Sequence, residues 1–189
     1  MMEKRELENM CNYFLDLEKE LADSSRYIEP EGQEKTYSFE FRKLIILSCT
    51  EFESACKALC ELLAPEAKRG NIGHYKSIIL SNFPKIVEAE THISRWHRTI
   101  RPLENWNTGI LPWWDANQQV KHDRGANFQA ASYENAVYAL SAVYILICYL
   151  SKITGISVPY YNSQYIHSNY GYQSLYCPTG INLPDFDSK

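Results

Sequence analysis

One run constrains this chain more than any other: between Glu134 and Lys152 there is no charged residue. Within it Ala136, Val137, Leu140, Val143, Tyr144, Ile147 and Leu150 recur at the three-and-four spacing of a helix face. The uncharged stretch from Asn135 to Ser151 spans about 25 Å as a helix at ~1.5 Å per residue, short of the ~30 Å hydrocarbon core of a bilayer. It therefore predicts a buried core helix from Tyr133 to Thr154, with no membrane as partner.

The other elements have to enclose that helix. Leu7, Met10, Cys11, Phe14, Leu17 and Leu21 form an apolar stripe on a first helix from Lys4 to Tyr27, closed by Pro30 and Gly32. Ser38 can cap a second, which runs to Pro65 with Leu44, Ile45, Leu47, Ser48, Phe52, Ala55, Cys56, Leu59 and Leu63 on a broad apolar face. On that helix Glu53 precedes Lys57 by four residues, the favourable order for a solvated ion pair. A turn from Pro65 to Gly73 leads to a short helix through Tyr75, Ile78, Ile79 and Phe83, ended by Pro84. The period then changes, and Lys85 to Ser94 reads as an extended segment or small hairpin. Pro112 suits the first turn of a helix from about Trp113 to Asp123, because its missing N–H would be unpaired there anyway.

The expected class is mainly α with a small β element. Residues 1–155 form one helical domain, and 156–189 an extended or irregular arm packed on the same domain or on a partner subunit. Six of the fourteen tyrosines fall between Tyr160 and Tyr176 and mark the arm as a composition shift. With 189 residues and 45% hydrophobic content, a core can form without disulfides or metal. The six cysteines read first as small core-filling residues. The charged N-terminus has no apolar core of a secretory signal, so a cytoplasmic protein is expected.

A net charge of -4 gives no general basic field, so any nucleic acid would have to be drawn by a local patch. There is no Gly-rich phosphate loop, no dinucleotide fingerprint and no nucleophile elbow. Cys56 and Cys60 lack a second Cys or His pair at finger spacing, so no metal and no cofactor are expected. The dense cationic constellation is Lys121, His122 and Arg124 at one helix end, with Arg95, His97, Arg98 and Arg101 upstream. An imidazole exchanges protons near neutral pH and a guanidinium forks onto phosphate oxygens, which together make a minimal kit for cleaving RNA without metal. The neighbouring Trp106, Trp113 and Trp114 can stack bases or fill a core. His122 also suits a helix C-terminus on dipole grounds alone.

The long N-terminal helix, the second helix from Leu44 through Lys57, the short polar helix ending Val120-Lys121-His122-Asp123-Arg124 and the closing apolar helix resemble the HEPN superfamily, over roughly Met10 to Gly155. The resemblance implies a small helical bundle, often dimeric, and a metal-independent ribonuclease of a toxin–antitoxin or phage-defence system. His122 would be its acid/base, Arg124 and Lys121 phosphate contacts and Asn117 a polar orienter, with Arg95, Arg98 and Trp114 as further RNA contacts. The family signature sets an Arg before the His with four to six residues between them. Here Asn117 and Ala116 stand five and six before His122, and Arg124 follows it. Arg69 and His74 have the spacing, in a glycine-bearing turn. Members without the motif are binding or scaffold modules, so the alternative is a non-catalytic protein that binds a partner chain, such as an antitoxin or defence component, or a second copy of itself.

Overall fold

The computed structural model describes residues 2–29, 31–67, 70–93, 97–122, 127–157 and 176–186. Among the described residues five α-helices carry the fold: α1 (Lys4–Ser24), α2 (Phe39–Leu63), α3 (Ile72–Asn82), α4 (Pro112–His122) and α5 (Tyr133–Thr154). A three-stranded antiparallel sheet completes it, with β1 (Glu90–Ile93) between β2 (Arg98–Ile100) and β3 (Tyr176–Asn182). The mainly α class with a small β element is what the sequence predicts.

The uncharged run is α5, and it is the central helix. Every residue from Ala139 to Ser151 is buried, because α1, α2 and α4 all pack on it, α2 most extensively. By length and composition α5 could cross a membrane, yet 78% of its most apolar window is buried against the other elements. Its ends are set locally: Ser132 accepts a hydrogen bond from the Asn135 N–H, and Gly155 closes the helix with φ +67°, a left-handed conformation that glycine adopts without a Cβ penalty. Aromatic contacts lock the layers, with Phe14 stacked on Tyr144 at 5.6 Å and Phe41 against Tyr133 at 5.1 Å between ring centroids. Cys11, Cys49, Cys56, Cys60 and Cys148 are buried and fill this interior, as small apolar residues would.

Several expectations shift. The first helix stops at Ser24, short of Tyr27, with the Ser24 and Ser25 hydroxyls bonded to carbonyls of the last turn. The third begins at Ile72, because the Asn71 side chain accepts from the N–H groups of Gly73 and His74, so His74 lies on a helix and not in the preceding turn. Arg69 lies outside the described residues. Lys57 pairs with Glu61 at 3.9 Å in place of Glu53.

The hairpin is offset from Lys85–Ser94. Ile86–Glu88 is a single 3-10 turn, and β1 pairs with β2 through Thr91 with Ile100 and Ile93 with Arg98, so the second strand comes from the arginine-rich segment. The arm beyond Ile156 is not irregular throughout. Its end supplies β3, paired with β1 through Glu90 with Asn182 and Thr91 with Ile181, and Leu183 is buried. Asp185 then accepts from the Tyr149 hydroxyl at 2.7 Å and from the Lys85 N–H at 3.1 Å, fastening that end onto α5 of the same chain. In the sequence this strand adjoins a stretch dominated by Tyr, Ser, Asn and Gly that carries no regular period.

Candidate functional site

Helix α4 positions most of the predicted site. Pro112 opens it, Asp115 lies in its first turn and Lys121 and His122 in its last, the charge order that complements a helix dipole. Its inner face is Trp113, Ala116, Asn117 and Val120. The start is anchored by Trp113, whose indole N–H donates to the Pro102 carbonyl at 2.8 Å while its ring meets Phe52 edge-on at 5.0 Å. The end is anchored from α2: the Arg42 Nε–H donates to the Val120 carbonyl at 3.1 Å.

That contact brings an arginine to the turn that ends in His122. Lys121 and His122 are exposed and Arg42 is half-buried. Arg42 makes no other hydrogen bond or ion pair among the described residues, so its terminal guanidinium nitrogens keep their donors. Arg42 is three positions along α2 from Phe39, on the same helix face. Phe39 packs on Phe128 at 4.7 Å, and Tyr37 meets Phe128 edge-on at 5.6 Å. Phe128 lies on the short 3-10 turn Phe128–Ala130, which contacts α4 on the way to α5.

The other predicted residues are dispersed. Asn117 is 1% exposed, in the interior, and neither of its amide atoms has a hydrogen-bond partner among the described residues. Five positions on a helix turn through about 500°, which leaves Asn117 and His122 roughly 140° apart around α4. Trp114 is half-buried beside Phe52 and Trp113 and lines a cavity of about 270 Å³ with Trp106 and Leu111. Arg98 is exposed on β2, close enough to Tyr138 of α5 to act on its phenol. His97 occupies the left-handed region at φ 46° in the segment joining β1 to β2. Arg95 and Arg124 lie outside the described residues, as does His167.

A larger cleft of about 630 Å³ runs beside α4, lined among others by Lys35, Arg101, Asp115, Gln119, Glu134 and Tyr138. Asp115, Gln119 and His122 are spaced at four and three, so the cleft follows the α4 face that ends in His122. Its cations are already engaged. Lys35 is hydrogen-bonded to Glu134, which raises its pKa, and Arg101 to Glu90, which lowers that carboxyl's. Burial raises the Tyr138 phenol, with Arg98 opposing. A cleft whose positive charges are paired, and which carries Glu104 and Asp115 besides, is poorly suited to phosphate. Among the described residues Arg98, beside Tyr138, and Lys121, at the α4 tip, make no ion pair. No group of three or more His, Cys, Asp and Glu residues among the described residues is arranged to hold a metal ion.

Sequence reasoning missed Arg42, Tyr37, Phe39 and Phe128. One signal was available: Phe39 stands two residues before Phe41 and so falls off the stripe that continues through Leu44, Ile45 and Ser48. An aromatic on the polar side of an amphipathic helix has to be explained by something other than the core. No protein-family model, curated protein or solved structure matches this chain.

Proposed function

We propose that this chain acts on RNA at the C-terminal end of α4, as a HEPN-like endonuclease that works without metal or cofactor in a defence or toxin–antitoxin setting. The observation that carries the reading is the Arg42 to Val120 hydrogen bond, which holds, two residues from an exposed imidazole, a guanidinium whose terminal nitrogens have no partner among the described residues. The arginine absent from the residues before His122 is supplied by another helix.

In the proposed reaction the neutral imidazole of His122 takes the proton of a ribose 2′-hydroxyl. The resulting alkoxide attacks the adjacent phosphorus, the P–O5′ bond breaks, and a 2′,3′-cyclic phosphate and a 5′-hydroxyl end form. The leaving oxygen takes its proton from water, or from the His122 imidazolium of a second copy in the homodimer that the HEPN resemblance implies. Arg42 and Lys121 hold the charge that accumulates on the phosphoryl oxygens.

The test is incubation of the purified protein with structured and unstructured RNAs in EDTA. Cleavage leaving 2′,3′-cyclic ends is expected, lost by about 10²-fold or more in His122→Ala and weakened in Arg42→Ala, with unchanged circular dichroism in both. Absence of cleavage by the wild-type protein refutes the reading.

A second reading, a non-catalytic protein that binds a partner chain, rests on a different observation. No described residue hydrogen-bonds to the His122 ring, so nothing described fixes its tautomer, and a cation beside the last carbonyls of α4 is favoured by the helix dipole alone. That reading expects a stable complex without cleavage.

A further inference from the structure

We propose that Tyr37, Phe39 and Phe128 form a platform on which an unpaired RNA base stacks, so that the substrate class of the α4 site is single-stranded RNA. The proposal rests on the reading of the α4 tip as an RNA site and names what that site selects.

Phe39 is 65% exposed and Tyr37 46%, although each is in ring contact with Phe128. Phe39 lies on the side of α2 away from the core and Tyr37 just before that helix, so neither ring is used in the buried core. They are also held in place. Ser38 caps α2 by accepting from the Phe41 N–H at 3.1 Å. The backbone on either side of Tyr37 is tied to the approach to α5, the Ser38 N–H donating to Ala131 at 3.2 Å and the Tyr133 N–H to Thr36 at 2.8 Å. The platform is thus formed by two segments pinned to each other, and its ordering cost is met in folding and not on binding.

What should cover it follows from its flank. Along one face of α2, Phe39 is followed by Arg42, and Arg42 reaches the last turn of α4, where Lys121 and His122 stand exposed. Arg42 thus links the helix face that carries Phe39 to the turn that carries Lys121 and His122. Arg42 and Lys121 form no ion pair among the described residues, so the apolar patch is bordered by uncommitted positive charge, which suits a polyanion with flat apolar faces. In an A-form duplex the base faces are stacked on each other, whereas unpaired bases can splay onto aromatic side chains. The pairing of stacking rings with neighbouring cations therefore selects single strands.

The test measures fluorescence anisotropy of a labelled 12-residue oligouridylate carrying 2′-O-methyl groups, so that nothing is cleaved, and of a 12-base-pair RNA duplex. Phe39→Ala should weaken single-strand binding by about 10-fold or more with duplex binding unchanged, and Phe39→Tyr should retain it. Arg42→Ala should weaken both ligands and flatten the salt dependence. Wild-type affinity for the single strand in Phe39→Ala overturns the platform, and so does equal weakening for both RNAs. Loss of self-association in Phe39→Ala without any change in RNA binding would instead make the patch an interface between copies. Cleavage by the wild-type protein that Phe39→Ala leaves intact would remove the platform and keep the His122 reading, whereas absence of any RNA binding or cleavage removes both.

Discussion

Asn117 is buried in the interior face of α4 with both amide atoms unpaired among the described residues, and replacing it should stabilise the protein. Leaving an amide desolvated without hydrogen bonds costs about 1–3 kcal/mol on mutational scales. Asn117→Leu removes that cost and adds apolar surface to a face already made of Trp113, Ala116 and Val120. Its extra bulk costs roughly 1–3 kcal/mol if the neighbours cannot yield, about what full burial of a leucine returns. The net expectation is a gain of about 1–3 kcal/mol, or roughly 2–4 °C in Tm per kcal/mol for a chain of this size. Urea unfolding followed by circular dichroism should show a higher midpoint with an unchanged slope. A loss of 1 kcal/mol or more would refute the reasoning, because it would mean that water or another group satisfies the amide in solution. The same variant informs on function: a more stable protein with less RNA cleavage would mark Asn117 as a residue kept at a cost to stability for the α4 site.

Two further outcomes follow from charge and burial. The buried thiols should resist modification in the native protein, since burial pushes Cys11 up to about 12 and Cys60 to about 11 and leaves almost no thiolate at pH 8; peptide mapping after alkylation should find Cys11, Cys49, Cys56, Cys60 and Cys148 unlabelled until guanidinium is added. Glu90 joins all three strands, accepting from Arg101 after β2 at 2.8 Å and from Asn182 of β3 at 3.4 Å. Its pKa is lowered chiefly by the Arg101 hydrogen bond, with Asn182 assisting. A carboxyl that is more acidic in the folded state stabilises at neutral pH, and that contribution is lost as pH falls through its folded pKa, below the ordinary carboxylate range. Glu90→Gln should therefore be less stable than wild type at pH 7, with the two urea midpoints converging in acid.

Helix α5 and the wrapping helices were legible in the sequence because an apolar period and its punctuation are local. Ser38, Pro112, Ser132 and Gly155 act within a turn of where they stand, and each sits at a boundary in the structure. The sheet was legible only in part. β1 is four residues long, its hairpin partner is interrupted by charged residues, and its other neighbour is more than eighty residues away, so neither periodicity nor turn chemistry could connect them. The site suffered most from the same limit. Reading outward from His122 led to Arg124 and Asn117 because they are close in number. Packing instead buries Asn117 on another face of the helix and brings in Arg42, 78 positions before Val120.

Lys121 and His122 in the last turn follow from helix electrostatics, and Arg42 against the Val120 carbonyl satisfies an orphan acceptor that α4 would otherwise present to water. One neutral donor would have done as much for that carbonyl. A guanidinium uses one N–H on the cap and retains its others, so capping accounts for a fraction of the donors present. Nor does capping account for Phe39, which a polar residue could replace on the outer side of α2 with no loss of core. Side by side, Phe39 and Arg42 offer exposed apolar area and positive charge, which suit the ligand proposed for this surface, one with flat faces and negative charge.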